Sequence, residues 1–283
     1  MPSGQTFSLS LPPFTKAVKW LILINAGMLL LMTLLRAAVP QLADPLFLIL
    51  SLIPQMVTHG WLTQLVTYSF LHLGIWHLLG NMFGLWMFGS QFEMDWGRKK
   101  FLEFYFFCVV GAALTTVLVS YTGIGGVTPR TVTVGASGGV FGILLAFGMI
   151  YGDREVFLFP FPFSMKAKYL VGGWIFITLI SAISASTPGH GGGVAYMAHL
   201  GGLLFGFLYV KFVPKRGMMF GFSERYFGLR NSYYRWKRRR AARKFEVYMR
   251  KHDREVTFDE HGNYIPPDEP DKHNGGSKSG WVN

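Results

Sequence analysis

Ser137 and His199 are the residues whose types and settings point most directly to chemistry. Ser137 stands in Gly135-Ala136-Ser137-Gly138 at the head of one apolar run, and His199 stands in Ala198-His199-Leu200-Gly201-Gly202 near the head of another. A serine hydroxyl is a weak nucleophile until a base takes its proton, and histidine is the usual base. A third apolar run carries His77 and Asn81, spaced i and i+4 and therefore on one helix face. Both are suitable donors to a tetrahedral oxyanion, and losing one such donor costs about two to three powers of ten in rate. Unpaired amides at the start of a helix opening at Ser137 would add to them. Phe141, at i+4 from Ser137, faces the same way and is placed to pack on the His199 ring. The pattern is that of a Ser-His dyad, because no Asp or Glu lies in the outer half of any apolar run to complete a triad.

The elements that must position these groups are membrane helices. The 283 residues are 51% hydrophobic and have a positive mean hydropathy, which suits a polytopic membrane protein better than a soluble domain. Hydrocarbon about 30 Å thick needs roughly 20 apolar residues per helix. Six segments qualify, near residues 17–38, 73–91, 101–121, 137–152, 169–186 and 194–212, so the expected fold is an all-α bundle of six transmembrane helices. Basic residues cluster on one side: Lys16 and Lys19; 98–100; Arg154, Lys166 and Lys168; Lys211, Lys215 and Arg216. The other side has only Arg36 and Arg130, so the positive-inside rule puts both termini in the cytoplasm. Residues 1–15 lack an apolar core followed by a cleavage site, and the first helix is expected to act as its own insertion signal. The expected location is a bacterial plasma membrane.

Depth can be counted at about 1.5 Å per residue from the charged inner ends. Ser137 and His77 fall about 24 Å above the inner boundary, and His199 and Asn81 about 18 Å. Four polar groups from three helices thus share one layer. The fourth helix is short: beginning at Ser137 it reaches only about 24 Å, so its N-terminus ends inside the membrane, where irregular backbone is tolerated only if protein buries it or water lines it. A water-filled pocket open to the outer face is the expected setting.

Each residue also has a plainer explanation. Ser137 between small residues suits close helix packing, Asn81 suits interhelical hydrogen bonding, and Gly202 and Gly206 form a GxxxG that predicts contact between the sixth and fourth helices. His72 is a boundary residue that helps shape the site, and His190 an exposed loop residue. Cys108, the only cysteine, reads as a small buried side chain and excludes an intrachain disulfide.

Residues 1–16 form a short N-terminal segment, 17–212 the helical domain and 213–283 a tail, basic and then acidic, that is expected to be largely disordered. Most of the +12 net charge lies in that tail, where the basic run 235–244 is interleaved with aromatics. Beside a leaflet this reads as contact with anionic lipids rather than nucleic acid.

Three blocks bring a known family into view. His77-Leu78-Leu79-Gly80-Asn81 is similar to an HxxxN motif, Gly135-Ala136-Ser137-Gly138 to GxSG, and Ala198-His199-Leu200-Gly201-Gly202-Leu203-Leu204-Phe205-Gly206 to AHxxGxxxG. Over residues 17–212 the chain resembles the rhomboid intramembrane serine proteases. The resemblance implies catalytic Ser137 and His199, oxyanion contacts from His77, Asn81 and the Ser137 amide, Gly135 beside the nucleophile, and Phe141 under the base. It implies no cofactor or metal, and substrates that are single-pass membrane proteins cut near the outer end of their helix. The segment 39–71 departs from the family by lacking its Trp-Arg pair, since Leu62 follows Trp61. The glycine-rich segment 185–194 is expected to be a mobile cap over the site.

Two other classes compete with the protease. A catalytically inactive rhomboid-like binder of membrane proteins would usually lack the serine or the histidine, and both are present. A transporter would show inverted repeats and midplane charges. No HExxH supports zinc chemistry, and Asp153 sits at the inner boundary without a second membrane aspartate.

Overall fold

The computed structural model describes residues 12–124, 127–157, 164–185, 193–213, 218–251, 256–258 and 264–265. It forms two compact units, Met1–Gly217 and Met218–Asn283.

The first unit opens with α1 (Lys16–Ala38), whose exposed Trp20, Leu23, Ile24, Leu30 and Leu34 give it an apolar outer face suited to lipid. The segment 39–71 is built largely from α2 (Pro40–Leu50), α3 (Pro54–Thr58), α4 (Gln64–Thr67) and a 3-10 turn at Tyr68–Phe70. Proline at the first turn of α2 and of α3 starts each helix where no amide donor is needed.

The second apolar run is continuous helix over 75–96. It comprises α5 (Ile75–Gly84), a π-helical turn (Leu85–Gly89) and α6 (Ser90–Trp96), with helical backbone at every junction. At its foot the buried Glu93 carboxylate accepts the amides of Ala17 and Val18 at 2.8–3.0 Å, satisfying the open start of α1. Gly97, at φ 79°, then turns the chain sharply into α7.

The helices α7 (Arg98–Ser120), α8 (Ser137–Ile150), α9 (Ala167–Ala185) and α10 (Gly193–Phe212) complete the unit, with a short hairpin of β1 (Glu155–Phe157) and β2 (Ser164–Lys166) between α8 and α9. Helices therefore occupy all six predicted segments. Two of them, α1 and α7, are by themselves long and apolar enough to cross a membrane among the described residues.

The most buried layer is α7 against α8 and α10. A Cβ on Gly202 would lie 2.1 Å from the Gly138 carbonyl oxygen, and one on Gly206 would lie 2.7 Å from that of Gly142. The α8–α10 seam is thus backbone on backbone, as the GxxxG spacing predicts. Cys108 is fully buried beside Gly142.

The second unit contains α11 (Met218–Arg250) and an antiparallel pair, β3 (Thr257–Phe258) and β4 (Tyr264–Ile265). The basic half of the tail is therefore helical where disorder was expected. Arg, Lys, Ala, Glu and Met all favour helix, and Glu246 pairs with Arg250 one turn on, at 3.5 Å. Most of the acidic end lies outside the described residues.

Candidate active site

Ser137 is the first residue of α8 and is 9% exposed. The backbone leading to it is tied down on two sides. Thr133 and Leu52 exchange amide–carbonyl hydrogen bonds at 2.9 and 3.0 Å, and the Gly135 amide donates to the Tyr68 carbonyl at 3.0 Å. Gly135 adopts φ +124°, a conformation open to glycine and strained for other residues. Space requires glycine there too, because a Cβ would meet His77 Cε1 at 2.8 Å and His77 Nε2 at 2.9 Å. The same point lies 3.7 Å from Ser137 Oγ, so His77 and Ser137 flank Gly135.

The first amide of α8 with a backbone partner is that of Val140, which donates to Ala136 at 3.1 Å. Among the described residues, the amides of Ser137, Gly138 and Gly139 donate to no acceptor. They give this end of the helix a set of free donors and the positive end of its dipole. Asn81 is buried, and its side-chain amide donates to the His77 carbonyl at 2.9 Å. That uses one of its two N–H groups and leaves the other available.

His199 lies on α10, flat against Phe141 of α8, with ring centroids 4.1 Å apart and planes within 11°. Tyr196 meets the edge of the imidazole at 6.1 Å, and Trp174 of α9 meets the edge of Phe141 at 6.3 Å. The ring is thus fixed from two directions. Among the described residues no hydrogen bond joins His199 to Ser137. Catalytic hydrogen bonds are often long in unliganded enzymes and tighten around the substrate.

The structure adds residues that motif spacing does not reveal. Tyr68 is buried, donates its hydroxyl to the Val109 carbonyl at 2.8 Å, and stands 3.2 Å from where a Gly138 Cβ would be. It links α7 to the backbone leading into α8. Buried Gln64 accepts the Ile53 amide at 3.0 Å and donates to the carbonyls of Leu48 and Ile49 at 3.3 and 3.1 Å. It organises the segment that lacks the Trp-Arg pair, whereas Trp61 and Leu62 are exposed. His72 is 5% exposed and packs against the His77 ring, centroids 5.0 Å apart.

Asp153 donates no support to aspartyl chemistry. It is an exposed group paired with Lys168 at 2.7 Å, and the bound ammonium holds its carboxyl below the usual range. No cluster of metal-ligating side chains exists among the described residues. His190 and residues 186–192 of the expected cap lie outside the described residues.

A helical bundle with these three sequence blocks is matched by a family model, the Rhomboid domain, over residues 59–216. The chain belongs to the rhomboid family, and it is an all-α, multi-pass membrane protein. Among curated proteins it is 29% identical to Rhomboid protein 1, mitochondrial, of Saccharomyces cerevisiae, over 52% of this chain and 40% of the relative. It is 30% identical to Rhomboid-like protein 11, chloroplastic, of Arabidopsis thaliana, over 69% and 65%. It is 29% identical to the human Presenilin-associated rhomboid-like protein, mitochondrial, over 51% and 36%. The chain thus spans between 36% and 65% of the length of these three relatives. Their names place them in mitochondria and chloroplasts, and they lend no support to the expected bacterial plasma membrane.

Proposed function

We propose that this protein is an intramembrane serine endopeptidase. Ser137 attacks the scissile carbonyl, His199 takes its proton and returns it to the leaving amine, and a water that gives its proton to His199 then hydrolyses the acyl-enzyme and frees Ser137. His77, Asn81 and the Ser137 amide receive the oxyanion. Six spans cross the bilayer with both termini cytoplasmic, and the substrates are single-pass membrane proteins cut near the outer face, without cofactor. The observation that carries this reading is the flat stack of His199 on Phe141, borne by the helix that begins at Ser137.

The alternative is a catalytically inactive rhomboid-like factor that binds membrane proteins. One experiment separates the two. The purified protein is treated with a fluorophosphonate and incubated with a panel of single-pass substrates. A base-activated serine is labelled at Ser137, and cleavage is lost in both Ser137→Ala and His199→Ala. The double variant is no worse than either single one, because the pair acts as a unit. Turnover by correctly folded Ser137→Ala would sink the mechanism, and substrate capture without labelling would favour the inactive binder.

A further inference from the structure

The helix α11 has one face partly covered. Ala242 and Met249 are half-buried, and the Phe258 ring of β3 meets Phe245 with centroids 6.3 Å apart. Together with Arg238, Ala241 and Val256 they line a groove of about 600 Å³. The hairpin strand sits over the apolar side of the helix.

The opposite side is a different surface. At about 100° per residue, Tyr233, Trp236, Arg240, Arg243, Lys244 and Val247 fall on the face away from Ala242 and Met249. All six are exposed, with Tyr233 at 56%, Trp236 at 54% and Val247 at 59%. The rings of Tyr233 and Trp236 stack at 6.0 Å, and the Arg240 guanidinium lies over Trp236 at 5.4 Å. Between residues 230 and 251 ten Arg and Lys side chains accompany a single acid, Glu246. A surface so charged requires an anionic partner, and its aromatic and aliphatic members require one with an apolar layer behind the charge.

We propose that this face of α11 docks on an anionic phospholipid leaflet. Phosphate headgroups meet Arg240, Arg243 and Lys244, while Tyr233 and Trp236 take the interfacial level at which amphipathic rings are stable. Val247 reaches the acyl boundary, a contact that a nucleic acid backbone cannot reward. The helix is also covalently tied to a membrane-spanning unit, so a bilayer surface is always at high effective concentration, whereas nucleic acid must be recruited. The inference does not depend on proteolytic activity.

The test uses the full chain in nanodiscs of phosphatidylcholine alone or of phosphatidylcholine with phosphatidylglycerol. A spin label is placed at Val247→Cys on the free face or at Ala242→Cys on the covered face; buried Cys108 stays in place. In anionic discs the label at 247 should gain accessibility to dissolved oxygen and lose it to an aqueous nickel chelate, and the label at 242 should change little. The triple variant Arg240→Ala/Arg243→Ala/Lys244→Ala keeps helix propensity and should lower the docking equilibrium roughly a hundredfold, about fivefold per charge. Equal accessibility at 247 in neutral and anionic discs overturns the proposal, as does protection at 242 instead. Protection at 247 by dissolved polyuridylate in neutral discs, with no effect of anionic lipid, overturns it in favour of nucleic acid.

Discussion

Phe141 holds the His199 imidazole by its face, 4.1 Å between centroids, from the same helix that presents Ser137 one turn earlier. Ser137 and His199 are therefore related through one rigid element rather than through a direct bond.

Removing the ring should loosen the base. Aromatic pairs contribute about 0.5–1.5 kcal/mol beyond burial, so Phe141→Ala should lower turnover up to about tenfold with little change in KM. Phe141→Tyr keeps the stack and should recover most of the rate. Steady-state kinetics on a cleavable membrane substrate measures both. A wild-type rate for Phe141→Ala would remove the stack from the mechanism.

The proposed oxyanion donors are separable from the packing around them. Asn81→Ala should lower turnover about 10- to 1000-fold, and His77→Ala should act similarly. Gly135→Ala should be as damaging although it removes no donor, because its Cβ would press on His77 from a strained backbone. Fluorophosphonate labelling rates report the same ranking without a substrate.

Two glycine substitutions give opposite expectations. Gly202→Ala places a methyl 2.1 Å from the Gly138 carbonyl and should destabilise the α8–α10 seam by about 1–3 kcal/mol. Gly172→Ala meets nothing within 4 Å and should be neutral or mildly stabilising. Thermal unfolding in detergent compares them, and equal melting temperatures would contradict the close contact.

Gln64 should prove to be the fastening of the segment after α1. Gln64→Ala leaves the Ile53 amide and the Leu48 and Ile49 carbonyls without their partner, at a cost of about 1–3 kcal/mol. Gln64→Glu would turn an acceptor-only, charged oxygen toward the Leu48 and Ile49 carbonyls in a buried site, so its melting temperature should fall at least as far as that of Gln64→Ala.

The sequence made the helices legible because apolar length is a direct physical signal. The predicted segment opening at Ser137 and the observed α8 share their first residue. The Gly202–Gly206 contact was legible for a similar reason, since only small residues permit that approach and their spacing is local. Stacking of Phe141 on His199 followed from an i to i+4 relation on one helix together with the seam. Tyr68, Gln64 and Glu93 were not legible. Each works through backbone amides or carbonyls of residues 11 to 76 positions away, and such partners leave no mark in local pattern. The helical tail was missed because charge density argues for disorder while propensity argues for helix, and composition does not weigh the two.

The wide turn at Leu85–Gly89 has a consequence for the whole of the second run. In an uninterrupted α-helix Asn81 and Glu93, twelve residues apart, would point about 120° away from each other. A π turn takes up roughly one residue, or about 100°, and closes most of that angle. The run behaves as a crankshaft whose two throws are brought into phase, Asn81 on one and Glu93, which meets the start of α1, on the other. Deleting a single residue within the turn would restore regular helix and leave the two ends nearly in step, whereas winding the same residues as regular α-helix would put them about 120° apart, so turn type and chain length there are constrained together.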